Sequence, residues 1–511
     1  MDEGRPSAEA LLVRGCRVVA LGDLSELRTL ASPDAEGVDL AGRCLLPGFH
    51  DSHVHLTQHG LELSQVKLDT AETLDEGLQQ VADKAAATPK GEWILGAGFL
   101  MSRWNVVELT KVQLDSVAPE HPVLLRSQDH HSAWANSLAL KQAGVTKDSV
   151  DPPYGEIVRD AAGEPTGLLL ERALHLIWDK LPQPSDEDIR AALQAAGKDF
   201  ASLGVTTVHH MAYEPVAYWR QLALQASKPE FPVRVWACIG QELIEQAASL
   251  GIATEQGGEH FQIGGAKFFA DGALGSLTAR MLEPYEGTDT TGVTVDGPEV
   301  LRKRFPLAIE AGLVPVCHAI GDQAVREVLD AFEETRELWL AKGMRPRLEH
   351  AQHLHPDDIR RFGQLGVTAS VQPLHLRFDA KRGRELLGER VRYMHPWRSL
   401  KDGSALLTFG SDTPVASPGV LAGLITATTR VSEEGESVHP EQALSLDEAL
   451  AAYTRGAAKA IGWEGRSGML KPGYDADLVI LSGPLEEGLE QLQVEATMKA
   501  GHWTFSSYHP A

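Results

Sequence analysis

Eight short apolar runs, several followed by a stretch of helical periodicity, constrain this chain more than any other feature. In order they are LLPGFHDSH from Leu45, GVTTVHH from Gly204, VRVWACI from Val233, IGGAKFFADG from Ile263, LVPVCHAIG from Leu313, RLEHAQ from Arg347, GVTASVQP from Gly366 and ALLTFGSD from Ala405. Their β-branched and aromatic content suits strands. Between them lie segments such as DQAVREVLDAFEETRELWL, whose apolar residues recur at spacings of three and four, as one face of a helix requires. Eight β/α units are what a closed (β/α)8 TIM barrel needs, so the predicted fold class is α/β.

The gap between the first run and Gly204 is far longer than a βα connection of a few residues, and it predicts an inserted α+β subdomain. Within it, WILGAGF and PVLLRS read as further strands. At the two ends of the chain, ALLVRGCRVVALGD and GMLKPGYDADLVILSG alternate or run apolar between Gly-rich turns, as strands of one small β-sandwich-like domain would. The expected organisation is a small β domain from residues 1–47 and 463–511, a barrel from 48–65 and 190–462, and an insert at 66–189. A chain of 511 residues needs such additions, because single cores stop growing near roughly 250 to 300 residues.

A formal net charge of -24 argues against nucleic acid and anionic membrane surfaces as partners, since both are bound through clustered Lys and Arg. No apolar run approaches the roughly 20 residues that cross a bilayer. The opening MDEGRPSAEA lacks the basic-then-apolar layout of a secretion signal, so the expected place is the cytoplasm. Cys16, Cys44, Cys238 and Cys317 are far apart without Cys-x-x-Cys pairing, and reduced thiols are expected. The expected partner is a small molecule, and association into a homo-oligomer is compatible with the sequence.

In a barrel the functional side chains come from the carboxyl ends of the strands and converge on one face. His53 and His55 are two apart, so on an extended segment they project to the same side, while His50 and His59 need not join them. The fifth run ends in His318, the sixth in His350 and the eighth in Asp412. Four imidazoles and a carboxylate at one mouth suit a borderline divalent metal such as zinc. Ser276 and Ser411 lie nearby, but neither sits in a Gly-x-Ser-x-Gly elbow, which weakens a serine-hydrolase reading.

PGFHDSHVH, KFFADG, CHAIGD, RLEHAQ and FGSDTPV resemble the amidohydrolase superfamily of metal-dependent hydrolases. With HSAWANS, SLTA, AYTRGAA and GMLKPGYDADLVIL they are similar, more narrowly, to the branch typified by N-substituted formamide deformylase. The resemblance implies one or two divalent ions, with His53 and His55 on one and His318 and His350 on the other. Lys267 matches a lysine that is commonly carboxylated and bridges the two; the alternative is an ammonium paired with Asp271 or a substrate anion. Asp412 would contact the first ion and serve as general base, then general acid, while metal-activated hydroxide attacks a C–N bond in an amide, formamide, cyclic amide or carbamate. Ester or phosphoester hydrolysis, isomerisation, or a metal-free binding role on the same scaffold are the alternatives.

Phe99, Trp104, His131 and Asp271 are the candidate substrate contacts. The chain departs from the branch at Phe99-Leu100, at Asp129-His130-His131 and at His209-His210, and it lacks a first strand and Asn-Gly turn usual before ALLVRG. Either its start is truncated or that sheet is smaller. These departures bear on substrate rather than on the metal motifs.

Overall fold

Each of the eight runs is a strand of one parallel sheet in the computed structural model, which describes residues 7–101, 103–106, 108–127 and 131–507. The strands are Phe49–Val54, Val205–His210, Arg234–Gly240, Phe261–Phe269, Pro315–Ala319, Arg347–His350, Thr368–Val371 and Leu406–Phe409. They neighbour one another in chain order, and every pairing is parallel. Val54 also bridges in parallel to Thr413, just beyond the eighth strand, which brings the two edges of the sheet together. The expected TIM barrel is borne out.

Helices pack outside the strands through the stripes that the sequence shows. In Asp322–Glu334 the buried residues Ala324, Val325, Val328, Leu329, Ala331 and Phe332 follow the three-and-four spacing. Phe332 stacks on Phe305 of helix Pro298–Glu310, with ring centroids 4.8 Å apart. Gly265 shows how tightly the sheet closes. A Cβ there would sit 2.1 Å from the Val314 carbonyl oxygen, so only glycine lets the fourth strand approach the chain entering the fifth.

The terminal segments form two small sheets. Ala10–Arg14 and Arg17–Gly22 make an antiparallel hairpin. Cys44–Pro47, Leu478–Leu481, Val494–Lys499 and His502–Ser506 make an antiparallel four-stranded sheet. Arg17 bridges to Asp475, and Val18, Ala476, Leu478 and Met498 share one buried cluster, so the two small sheets pack against one another. Arg234, buried on the third barrel strand, ion-pairs with Asp475 and Asp477 of this region. Gly48 N donates to the Asp477 carbonyl at 2.8 Å, which ties the entry of the first barrel strand to the sheet. All four cysteines are free thiols.

The chain divides into two compact units, Met1–His59 with Leu193–Ala511, and Gly60–Ala192. The second has a six-stranded sheet of its own, parallel across Val66–Lys67, Ile94–Phe99 and Val123–Ser127, then antiparallel through Ser132–Ala135, Pro165–Glu171 and Gly155–Arg159. WILGAGF and PVLLRS supply two of these strands. No helix among the described residues is long and apolar enough to cross a membrane.

Candidate metal centre

The first strand sorts its polar residues by alternation. His53 and His55 project to one side, whereas His50 points away, its Nε2 2.9 Å from Ser467 Oγ. His59 is occupied elsewhere too, between Asp199 and Thr413. Asp51 anchors the eighth strand to the first: one carboxylate oxygen accepts from His53 N at 3.2 Å and Ser411 N at 2.9 Å. Asp412 N donates to the His53 carbonyl at 2.7 Å, and Asp412 sits at φ 61, a left-handed conformation that aspartate enters more readily than most residues.

That anchorage sets the Asp412 carboxylate against the histidines. Its Oδ1 lies 3.3 Å from Nε2 of His53 and 3.3 Å from Nε2 of His55. Two donors on one tetrahedral cation, each near 2.1 Å from it, stand about 3.4 Å apart. The separations therefore fit two edges of a coordination shell. Nε2 of His375 lies 3.8 Å from the other oxygen, Oδ2. Two overlapping groups result, His53–His55–Asp412 and His350–His375–Asp412, each with its donor atoms within 4.8 Å of one another.

His350 ends the sixth strand at φ 75, its ring centroid 4.8 Å from that of His53 and 4.4 Å from that of His318. Its Nδ1 is 2.8 Å from Gln372 Oε1. His318 ends the fifth strand beside it, but its Nε2 is directed at the Gly272 carbonyl, 3.0 Å away, and at Asp271, 3.4 Å away. Lys267 is buried on the fourth strand with Nζ 4.0 Å from the Phe269 ring centroid and no hydrogen-bond partner among the described residues. The six residues expected at the rim thus share one end of the barrel. His53, His55 and Asp412 are in the tightest array.

The four expected substrate contacts differ in their immediate surroundings. Asp271 accepts from the backbone N–H groups of Arg280, Ile320 and Gly321 at 2.8–3.0 Å, and so holds the loops after the fourth and fifth strands. Phe99 and Trp104 are buried with Trp134 in the core of the Gly60–Ala192 unit. His131 is exposed, its Nδ1 3.1 Å from Glu171. Asp129 and His130 lie outside the described residues. Of the His209-His210 pair, His209 Nδ1 accepts from Arg347 at 2.9 Å and His210 Nδ1 accepts from Leu56 N at 3.2 Å.

The rim favours positive charge. Burial alone would raise the Glu349 carboxyl, but Arg347 and His53 hold it down at about 2. Burial also opposes an ionised Asp412, and His53 and His55 reverse this to keep it well below the usual carboxylate range. For His53, burial lowers the pKa, yet Asp412 and Glu349 bring the imidazole above its ordinary value. Burial lowers Lys267, and it holds His350 well below an ordinary imidazole with the help of His318. Two ionised carboxylates facing imidazoles, one of them neutral, are a donor set that fits a divalent cation.

Sequence reasoning missed Glu349, Arg347, His375 and Tyr213. Glu349 directly precedes His350, and His375 follows the seventh run by two residues; the strand-end rule, extended by one residue each way and past Pro373, reaches both. Arg347 donates to Glu349, Ser52, Ser370 and His209 and fixes the floor beneath the rim. Tyr213 stands over His55 with ring centroids 5.9 Å apart, in a cleft that Lys267, Phe269, His210, Glu214 and Trp219 also border.

The fold is shared with a metal-dependent hydrolase from Pyrococcus horikoshii OT3, at a TM-score of 0.76 and 27% identity over 96% of this chain and 95% of that one. Fold and rim together define a hydrolase of the metal-dependent barrel class. The model of the amidohydrolase family matches residues 36–505, and the chain belongs to that family. It is 36% identical to Protein LONG AFTER FAR-RED 3 of Arabidopsis thaliana over 502 residues, 94% of this chain and 85% of the relative. It is 28% identical to N-substituted formamide deformylase of Arthrobacter pascens over 497 residues, 94% of this chain and 91% of the relative. The resemblance read from the motifs is borne out.

Proposed function

We propose that the chain hydrolyses a carbon–nitrogen bond of a small amide-like molecule, a formamide, cyclic amide or carbamate, at a divalent-metal centre for which zinc is the expected occupant. The observation that carries the reading is the convergence of His53 Nε2, His55 Nε2 and Asp412 Oδ1 at coordination-shell separations. Family membership and the formamide deformylase relative support the bond type.

A divalent cation bound there would supply two things: it would lower the pKa of water from roughly 16 to about 7 and polarise a substrate carbonyl. The chain's residues do the rest. Glu349, ionised, accepts from His53 Nδ1 and so leaves Nε2 bare for the cation. Lys267, whose ammonium is disfavoured by burial, is suited as its neutral amine to add carbon dioxide, releasing one proton to solvent, and would then help to hold a divalent cation through an anionic carbamate oxygen. Asp412, ionised at neutral pH, accepts the proton of the attacking water and delivers it to the departing nitrogen. Tyr213 and Phe269 flank the cleft and suit an apolar substituent on the substrate.

The test is a screen of N-formyl amines, cyclic amides and carbamates against carboxylic esters and phosphoesters, with protein purified without chelator and supplied with zinc or manganese. Turnover of a C–N class that chelation stops and metal restores is expected. Turnover of esters or phosphoesters alone would replace this reading.

A further inference from the structure

We infer that His375 is a metal ligand, forming with His350 and Asp412 a second cation position that shares the Asp412 carboxylate with the position of His53 and His55. The inference rests on the metal-centre reading above and adds to it a ligand from the segment that follows the seventh strand.

His375 opens the helix His375–Leu387, three residues beyond Gln372. It is 5% exposed, and its Nε2 is buried without a hydrogen-bond partner among the described residues. An imidazole nitrogen left bare in the interior is costly unless something binds it. Asp412 Oδ2 lies 3.8 Å from it, too far for a hydrogen bond and near the spacing of two donors around one cation. Donor atoms of His350, His375 and Asp412 all lie within 4.8 Å of one another.

His350 is also oriented as metal ligands usually are, with one nitrogen fixed by an acceptor. His350 Nδ1 meets Gln372 Oε1 at 2.8 Å. His375 lies beside His350. Their rings stack 6.1 Å apart at an interplanar angle of 18°, so the two present themselves side by side. Asp412 divides its oxygens between the groups, Oδ1 toward His53 and His55 and Oδ2 toward His375. The segment that follows the seventh strand therefore contributes twice to the rim: Gln372 aims His350, and His375 offers its own nitrogen.

The experiment is a cobalt(II) titration of the chelator-stripped full chain, followed by visible absorption and calorimetry. His375→Ala and His375→Gln should each weaken a cobalt step by ten-fold or more and shift its absorption bands. Gln372→Leu, which releases His350 without touching His375, should weaken the same step by 10- to 100-fold. Circular dichroism of the stripped proteins checks that each variant is folded. Unchanged cobalt affinities and spectra in the folded His375 variants would overturn the inference while leaving the metal centre standing; if neither folds, anomalous diffraction at the cobalt edge from the wild-type chain with no peak within bonding distance of His375 Nε2 would do so. No cobalt uptake by the wild-type chain would instead remove the metal-centre reading itself.

Discussion

Nδ1 of His53 lies 2.8 Å from Oε2 of Glu349, and both side chains are buried. Because the ionised Glu349 can only accept, the proton of His53 is placed on Nδ1 and the opposite nitrogen faces Asp412. Glu349 is in turn held by Arg347, Nε to Oε1 at 2.9 Å, in a fully buried pair. Glu349→Gln should lower metal affinity 10- to 100-fold through loss of this orientation. It should also cost about 3 kcal/mol in stability, because the buried Arg347 charge loses its partner. Competition against a chelator and thermal melting check the two effects. Unchanged values in both would remove Glu349 from the account.

Asp412→Asn keeps the shape of the side chain and leaves both first-strand histidines in place. Most of the metal should remain, while turnover falls by about 10²–10⁴-fold, as expected when the proton carrier is lost. Element analysis beside kcat separates the two quantities. Turnover near that of the wild type would contradict the proton-carrier role.

Gly410 is where the eighth strand crosses the first. A Cβ at this position would lie 2.4 Å from His53 N and 3.0 Å from Asp51 Oδ1, and neither atom can move without taking the rim with it. Gly410→Ala should therefore lose about 1–3 kcal/mol of stability and weaken metal binding together. A melting point and metal affinity equal to those of the wild type would show that the strands separate easily.

Asp379 gives a pH-dependent outcome away from the metal. Burial raises its carboxyl from 3.8 to about 7, against the opposing hydrogen bond from Gln352 Nε2 at 2.6 Å. The folded chain keeps this proton up to about pH 7, while the unfolded chain releases it near pH 4, so stability falls as pH rises across that window. Asp379→Asn removes the penalty and retains an acceptor for Gln352. With the side chain 18% exposed, the gain at pH 8 should be about 1–3 kcal/mol, shrinking toward pH 5. Melting at the two pH values decides it, and an equal difference at both would refute the assignment.

Much of this was legible in the primary structure because a parallel barrel writes one signal eight times: an apolar strand that stops at a polar residue. His318, His350 and Asp412 were found that way, and the His-x-His spacing placed His53 and His55 on one side of an extended segment. Glu349 stayed hidden inside its strand, since a charged residue one position before the end looks like part of the same polar terminus. His375 lies past Pro373, at the start of a helix, so the strand-end rule reaches it only when extended beyond that proline. Phe99 and Trp104 show the reverse limit. An aromatic residue in a strand or turn has the same signature whether it faces a ligand or, as these two do, packs against Trp134 in a core.

The central claim is that side chains from the first and last strands hold one divalent cation. Anomalous diffraction at the zinc edge, from crystals of protein purified without chelator and supplied with zinc, measures this directly. A peak bonded to Nε2 of His53, Nε2 of His55 and Oδ1 of Asp412 is the predicted result. A fully zinc-exposed crystal with no peak within bonding distance of those three atoms would contradict it.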